Sequence, residues 1–259
     1  VSCESTYGGT DRIDATDAGR RKMLADEVRK ASHHMNGALI IPSFAVERTQ
    51  ELLADLILLM ERSEIPTFPI YIDSPLATRA SEIFMAHRSE IEHGDVMVRA
   101  MRSKNVRFTE SVEQSKSLDY IRGFHIVIAA SGMCEAGRIR HRLKNWLWRE
   151  EGTVLLVGFQ AAGTLGRILM DGASTVRIQG EEIAVRARIR SLEAYSGHAD
   201  GPELEHWLRQ RLPIAQAVFL VHGETDALAA MKRRAGGVLT EDQIYIPRID
   251  SAFSLEDDG

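Results

Sequence analysis

The sequence predicts an α/β fold built on a parallel sheet covered by helices. Short, uninterrupted apolar runs recur at Ala38–Ile41, Ile70–Ile72, Ile126–Ala130 and Thr153–Val157. A strand buried on both faces needs no polar alternation, so such runs suit the interior of a parallel sheet. Longer stretches with helical spacing separate them, and strand–helix alternation is the pattern of a helix-covered sheet. With 259 residues the chain can bury a substantial core, as one large or two ordinary domains.

The elements follow in order. Val1-Ser2-Cys3-Glu4 reads as the second half of a strand, and the chain then turns at Gly8-Gly9. From Asp17 to Ala31 the spacing of Met23, Leu24 and Val28 gives a helical stripe, ended by Asn36-Gly37. After the strand Ala38–Ile41, closed by Pro42, a helix is expected from Ala45 or Val46 through Met60. The strand Ile70–Ile72 leads to Ser74-Pro75, which opens a helix expected to run through Thr78 to Glu92. Gly94 to Leu118 shows no clear period and is expected to be irregular. Beyond the strand Ile126–Ala130, a helix is expected over Gly137–Trp148 and a strand over Thr153–Val157. Val176, Ile178, Ile183, Val185 and Ala187 alternate with charged residues, predicting a half-exposed hairpin that turns at Gly180-Glu181. Pro202–Arg211 is helix-like, Val218–Val221 is a short buried strand, and the acidic tail after Ile246 is expected to be loose.

Bulk composition narrows the function classes. A net charge of −5 offers no general attraction to nucleic acid, so any such site must be a local basic patch. Two cysteines, Cys3 and Cys134, make no disulfide framework, and a reducing, cytoplasmic location is expected. No apolar run approaches the length of a membrane span, so no membrane partner is expected. Gly158, Gly163 and Gly166 follow a strand, but their spacing is wrong for a dinucleotide fingerprint.

Three stretches bear residues suited to chemistry. The strand Val218–Val221 stops at His222, and Gly223 lets the chain turn away without a side chain in its path. A histidine there has its ring at an open rim, suited to a metal, although a rim histidine with a satisfied hydrogen bond is the plainer reading. Tyr195-Ser196-Gly197-His198-Ala199-Asp200 puts a second histidine in a glycine turn before a helix. There Asp200 reads as the helix N-cap. Glu4-Ser5-Thr6-Tyr7-Gly8-Gly9 puts a carboxylate where a strand gives way to a turn.

Together with Ser131-Gly132-Met133 and Gly137-Arg138, these stretches resemble the β-CASP family of metallo-β-lactamase-fold nucleases, near the bacterial and archaeal RNA-processing branch. The resemblance runs in order over essentially the whole chain. It implies a β-CASP α/β domain inserted in a metallo-β-lactamase αββα fold, of which only the C-terminal part is expected here. On that comparison residues 1–8 end the first part of the parent domain, 9–177 form the β-CASP domain and 178–259 return to the parent domain. The family's His-x-His-x-Asp-His cluster, which supplies most zinc ligands, has no counterpart; His33-His34 is adjacent rather than alternating.

What the resemblance implies about chemistry is specific. Phosphodiester hydrolysis needs a strong nucleophile, stabilised charge on the phosphate oxygens and a proton for the leaving oxygen. Two zinc ions can meet the first two needs, and histidine suits the third. His222 matches the family's last metal-binding histidine, and a histidine rather than a valine there points to RNA over DNA. His198 matches the proton-donating histidine, with Glu4 as its carboxylate partner. Ser196 and the Ser131-Gly132-Met133 turn are candidates for contacting RNA phosphates, since a turn leading from a strand towards a helix exposes backbone N–H groups. Arg138 is the best phosphate candidate among Arg138, Arg140, His141, Arg142 and Lys144, which crowd one helix. Arg48 suits either the cleft or an ordinary helix surface, and Asp73-Ser74-Pro75 reads as a structural turn. Asp14 stands where many relatives have histidine.

The expected function is thus part of a zinc-dependent ribonuclease, this stretch alone being inactive, with RNA as partner and a homodimer allowed. The competing readings are a non-catalytic RNA-binding or scaffold subunit, and a small-molecule metallohydrolase that would not need so large an insertion.

Overall fold

The computed structural model describes residues 1–12, 16–91 and 94–254. Asp14, Glu92 and the end of the acidic tail lie outside the described residues. The chain forms two compact units, one from Val1–Ile13 with Ser196–Gly259, the other from Asp14–Tyr195.

In chain order the elements are β1 (Ser2–Glu4), α1 (Asp17–Ser32), β2 (Ala38–Pro42), α2 (Arg48–Glu61), β3 (Ile70–Asp73), α3 (Pro75–Ala86) and α4 (Gly94–Arg102). Then come β4 (Val106–Phe108), α5 (Val112–Ser117), β5 (His125–Ala129), α6 (Arg138–Trp146), β6 (Gly152–Val157) and α7 (Leu165–Met170). The chain closes with β7 (Thr175–Ile178), β8 (Glu181–Ala184), β9 (Arg188–Leu192), α8 (Gly201–Arg209), β10 (Val218–Val221), α9 (Thr225–Ala235) and β11 (Ile244–Tyr245). Among the described residues no helix is long and apolar enough to cross a membrane.

The larger unit is the α/β layer structure that the apolar runs predict. Its six strands lie in the order β4-β3-β5-β2-β6-β9, and every pairing is parallel. β2 is central, buried at every residue, and in register with β5 from Ala38↔His125 to Pro42↔Ala129. Its side chains divide by the period of a strand. Leu39 and Ile41 join a core with Leu24 and Val28 of α1 and Leu52 and Leu56 of α2. Ala38 and Ile40 join the opposite core with Ile139, Leu143 and Trp146 of α6 and Leu169 of α7. Polar caps start the helices: Thr16 for α1, Ser74 with Pro75 for α3, and a Ser111–Gln114 capping box for α5.

Several expectations shift. The helix after β2 begins at Arg48, because residues 44–47 form a turn in which Thr49 Oγ1 donates to the Phe44 carbonyl at 2.7 Å. α3 stops at Ala86 rather than running on, since no apolar residue continues its stripe before Ile91. The stretch from Gly94, expected to be irregular, holds α4, β4 and α5; Val96, Met97 and Ala100 bury one face of α4 between its charges. The hairpin β7–β8 turns at Gln179 (φ 52°) and Gly180 (φ 87°), one residue earlier than expected. Two left-handed residues in a two-residue loop match the twist of the flanking strands. β9 pairs in parallel with β6, and residues up to Tyr195 belong to the larger unit.

A buried polar network stands at the end of β3. Asp73 accepts from Thr109 Oγ1 (2.6 Å), Ser115 Oγ (3.0 Å) and an Arg138 guanidinium nitrogen (3.0 Å), and lies 3.3 Å from Arg142 Nε. That last contact is an ion pair without hydrogen-bond alignment. The turn Asp73-Ser74-Pro75 is therefore structural, as its residue types suggest.

The smaller unit is a three-stranded parallel sheet, β1-β10-β11, with α8 and α9 packed on it. Cys3, Val218, Leu220 and Ile244 from the strands bury against Leu204 and Leu208 of α8 and Met231 and Ala235 of α9.

Candidate active site in the smaller unit

The register of β1 against β10 brings the chemistry together. Ser2 pairs with Phe219, Cys3 with Leu220 and Glu4 with Val221. Parallel strands in this register end side by side, so Glu4 and His222 emerge at the same edge from segments more than 200 residues apart. An isolated bridge from Tyr7 to Asp200 aligns the Ser196–Asp200 turn with the same edge.

Glu4, His198 and His222 form one cluster, with a ligand atom of each within 4.8 Å of the others. Glu4 Oε1 lies 3.5 Å from His198 Nδ1, and the two imidazole rings are 5.5 Å apart at their centroids. Glu4 and His198 are part-buried, while His222 is exposed. Glu4 Oε2 accepts from the Thr6 backbone N–H at 2.8 Å, which fixes its carboxylate toward His198. Thr6 also touches His222: its Oγ1 lies 2.9 Å from the His222 carbonyl oxygen and 3.2 Å from Nδ1. Beside the cluster opens a cavity of about 750 Å³ lined by Glu4, Arg12, Ser196, His198 and Trp207, among others.

The glycine beside His222 acts differently from the expectation. The left-handed residue is His222 itself, at φ 56°. Gly223 is needed for close approach, because a Cβ there would lie 2.7 Å from the Ser5 carbonyl oxygen. The two turns are clasped to one another.

Sequence reasoning missed Thr6 and Arg12. Arg12 spans the histidine turn: its guanidinium donates to the carbonyls of Ser196, at 3.3 Å, and of His198. Its backbone N–H donates to Asp200 at 2.9 Å, and its charge sits 5.2 Å over the Tyr7 ring. No spacing rule marks such an arginine, since its partners are backbone atoms far away in sequence. Asp200 is the expected N-cap, in a reciprocal box with Glu203.

The remaining candidates divide between the units. Ser196 lies in the histidine turn, with its Oγ accepting from the His198 N–H at 3.3 Å. Ser131 and Gly132 lie in the larger unit, just past the end of β5. There Ser131 Oγ accepts from Ala136 N at 3.2 Å, and the Gly132 carbonyl accepts from Gln160 at 3.2 Å. Arg138 also lies in the larger unit. Its guanidinium donates to Asp73, to Thr109 Oγ1 and to the carbonyls of Thr109 and Glu110. Those bonds anchor its guanidinium at the end of β3. Arg48 is ion-paired with Glu51 and lies over the Tyr195 ring at 5.8 Å.

The donor set suits zinc, which takes imidazole nitrogen and carboxylate oxygen. Two imidazoles and one carboxylate converge here, with the ring nitrogen of His222 distal to Thr6 left for an ion. A two-ion centre needs more ligands than this, and among the described residues no other His/Cys/Asp/Glu cluster of this kind is found.

Comparison with known proteins is consistent with both units. Residues 49–169 match the profile of the Beta-Casp domain, and residues 182–247 match that of the Zn-dependent metallo-hydrolase RNA specificity domain. The chain is 34% identical over 240 residues to ribonuclease TTHA0252 of Thermus thermophilus, covering 89% of the chain and 53% of that protein. It is 30% identical over 242 residues to transcription termination factor FttA of Methanococcus maripaludis, covering 85% of the chain and 36% of that protein. An RNase J-like protein of Methanocaldococcus jannaschii is 28% identical over 222 residues, covering 85% of the chain and 51% of that protein. The chain thus spans about half the length, or less, of these curated relatives.

Proposed function

Because the chain belongs to the β-CASP family, we propose that it forms part of a zinc-dependent ribonuclease hydrolysing RNA phosphodiester bonds. The observation that carries the proposal is the convergence of Glu4, His198 and His222 at one edge of the β1–β10 pair. In this reading His222 holds zinc. When bound, two zinc ions activate the attacking water and stabilise charge on the phosphate oxygens. His198 gives the leaving oxygen its proton, and Glu4, 3.5 Å from Nδ1, orients that ring so that Nε2 is the nitrogen that transfers it. Ser196 and the Ser131–Gly132 turn contact RNA phosphates.

A cytoplasmic setting goes with this reading, since Cys3 and Cys134 are both free and buried. A homodimer belongs to the same proposal and is tested by light scattering. On this reading residues 9–177 form the β-CASP domain, and residues 1–8 and 178–259 belong to the parent domain.

The tests are metal content and cleavage. The 259-residue chain, dialysed and analysed, should hold no stoichiometric zinc and cleave no labelled RNA, because one small cluster cannot build a two-ion centre. About two zinc per chain would overturn this part of the reading. In a protein of the relatives' full length, His198→Ala should keep its zinc and slow cleavage about 100-fold or more. His222→Ala should lose zinc as well as rate. The second reading is a non-catalytic RNA-binding subunit, and the presence of Glu4, His198 and His222 in one cluster counts against it. It predicts RNA binding without cleavage in that longer protein.

A further inference from the structure

Thr6 touches both Glu4 and His222, and its contacts carry an inference about the state of the His222 ring. Thr6 is 5% exposed and lies two residues past the end of β1. Its backbone N–H donates to Glu4 Oε2, and its Oγ1 meets two atoms of His222, the carbonyl oxygen at 2.9 Å and ring Nδ1 at 3.2 Å.

A hydroxyl has one hydrogen to donate, and a carbonyl oxygen can only accept. The Thr6 hydrogen is therefore directed to the His222 carbonyl. What Oγ1 then presents to Nδ1 is a lone pair, so Nδ1 must be the nitrogen that carries the proton. A neutral imidazole has one N–H, which leaves Nε2 bare. A bare imidazole nitrogen is the form that binds a metal ion, and the hydrogen bond made by the other nitrogen sets which one it is.

The same hydroxyl also steadies the backbone. His222 sits at φ 56°, a conformation uncommon for a residue with a side chain. The bond to its carbonyl and the contact of Gly223 with Ser5 hold the two turns together there. His222 is otherwise exposed, so without Thr6 its ring would be free to turn and to take either tautomer.

We propose that Thr6 is a positioning residue that locks His222 in the Nδ1–H tautomer and so presents Nε2 as the metal-binding nitrogen. The proposal rests on the reading of His222 as a zinc ligand. Its test separates the two by measuring the tautomer in the absence of metal.

The 259-residue chain is labelled with ¹⁵N-histidine, and long-range ¹H–¹⁵N correlation spectra are recorded at pH about 8.5, above the ordinary histidine range. His222 is assigned by loss of its signals in His222→Gln. The expected result is a protonated Nδ1 and an unprotonated Nε2 for His222. Thr6→Ser should keep that pattern, and Thr6→Val, which is similar in shape but has no hydroxyl, should shift it toward the Nε2–H form. Zinc titrated into the same samples should move the Nε2 resonance, with affinity about 10- to 100-fold weaker in Thr6→Val than in the parent or Thr6→Ser. An Nε2–H tautomer in the parent chain overturns the proposal outright, whether or not any variant folds. So does a Thr6→Val protein that melts at lower temperature while its tautomer is unchanged, which is the outcome of a purely structural threonine. In a protein of the relatives' full length, tautomers as expected together with a zinc content unchanged in His222→Gln would leave the lock standing and sink the zinc-ligand reading.

Discussion

Asp73→Ala should be among the most damaging single changes in the larger unit, although Asp73 touches no proposed substrate. Its carboxylate is fully buried and gathers Thr109, Ser115 and Arg138 by hydrogen bonds, with Arg142 at ion-pair distance. Arg142 is also fully buried. It keeps a 2.5 Å bond to Asp119 and a 3.0 Å bond to the Ser115 carbonyl, but loses the charge nearest Nε when Asp73 is removed. Breaking a buried ion pair from one side costs about 3–5 kcal/mol; Arg142 keeps Asp119, so part of the cost here comes from the Thr109, Ser115 and Arg138 donors left without their acceptor. At about 2–4 °C per kcal/mol for a unit of this size, the melting temperature should fall by roughly 6–20 °C. Calorimetry or near-UV circular dichroism reads this directly. The double variant Asp73→Ala with Arg142→Met removes both buried charges, and it should recover part of the loss. A fall of less than about 1 kcal/mol for Asp73→Ala, or no recovery in the double variant, would refute the view of this network as a coupled buried pair. Because Arg138 follows the Ser131–Gly137 turn directly, the same change should loosen that turn.

Three further predictions use groups whose proton affinity is displaced by their surroundings. Burial pushes the Cys3 thiol up to about 11 and the Cys134 thiol to about 12, so at pH about 8 almost no thiolate is present. Iodoacetamide should label both only after denaturation, and fast labelling of the native chain would contradict their burial. His125 is held below its ordinary value of 6.5, mainly by burial, with the buried Arg142 charge acting in the same direction. As pH falls below about 6.5 the unfolded chain takes up a proton that the folded histidine refuses, so stability should decline on that side. His125→Phe should flatten this limb in denaturant titrations, and an unchanged slope would refute the assignment. Glu27 is held below its ordinary value of 4.5, first by its two bonds to Arg190, at 2.8 and 2.9 Å. Its contribution is present above about 4.5 and lost as pH falls through the folded value. Since Arg190 is half exposed, Glu27→Gln should cost only about 1 kcal/mol at neutral pH and nothing at strongly acid pH.

Much of the fold was legible because its strands are buried on both faces. Uninterrupted runs such as Ile70–Ile72 and Ile126–Ala129 can hardly be anything else between helical stretches, and β2, β3, β5, β6 and β10 all fall where the runs lie. The elements that escaped notice have mixed surfaces. β9 reads Arg-Ile-Arg-Ser-Leu and is held at the sheet edge by pairing with β6 rather than by burial of its own side chains. α4 interleaves Asp95, Arg99 and Arg102 with its apolar face, and Arg99 is bound to Glu61, 38 residues away. Composition records the charges, but tertiary contact decides whether they sit on an element or in a loop.

The site divides along the same line. Glu4, His198 and His222 could be picked out because the motifs around them resemble those of the β-CASP family, each where a strand or turn hands a polar side chain to an edge. What joins them could not be read, because it resides in backbone atoms. Register alone sets Glu4 beside Val221, and through it sets β1's carboxylate beside the histidine that ends β10. Arg12 holds the His198 turn by two carbonyl oxygens, and Thr6 reaches the backbone of His222 as well as its ring. A carbonyl has no letter in a sequence. The consequence for substitution is that Thr6 and Arg12 tolerate replacement only by side chains that present a donor at the same point. Glu4 and His198 are constrained by their own chemistry instead. On the proposed reading the two kinds of constraint fail differently, the first by a cluster that comes apart with its groups intact, the second by a cluster that holds its shape and loses its reaction.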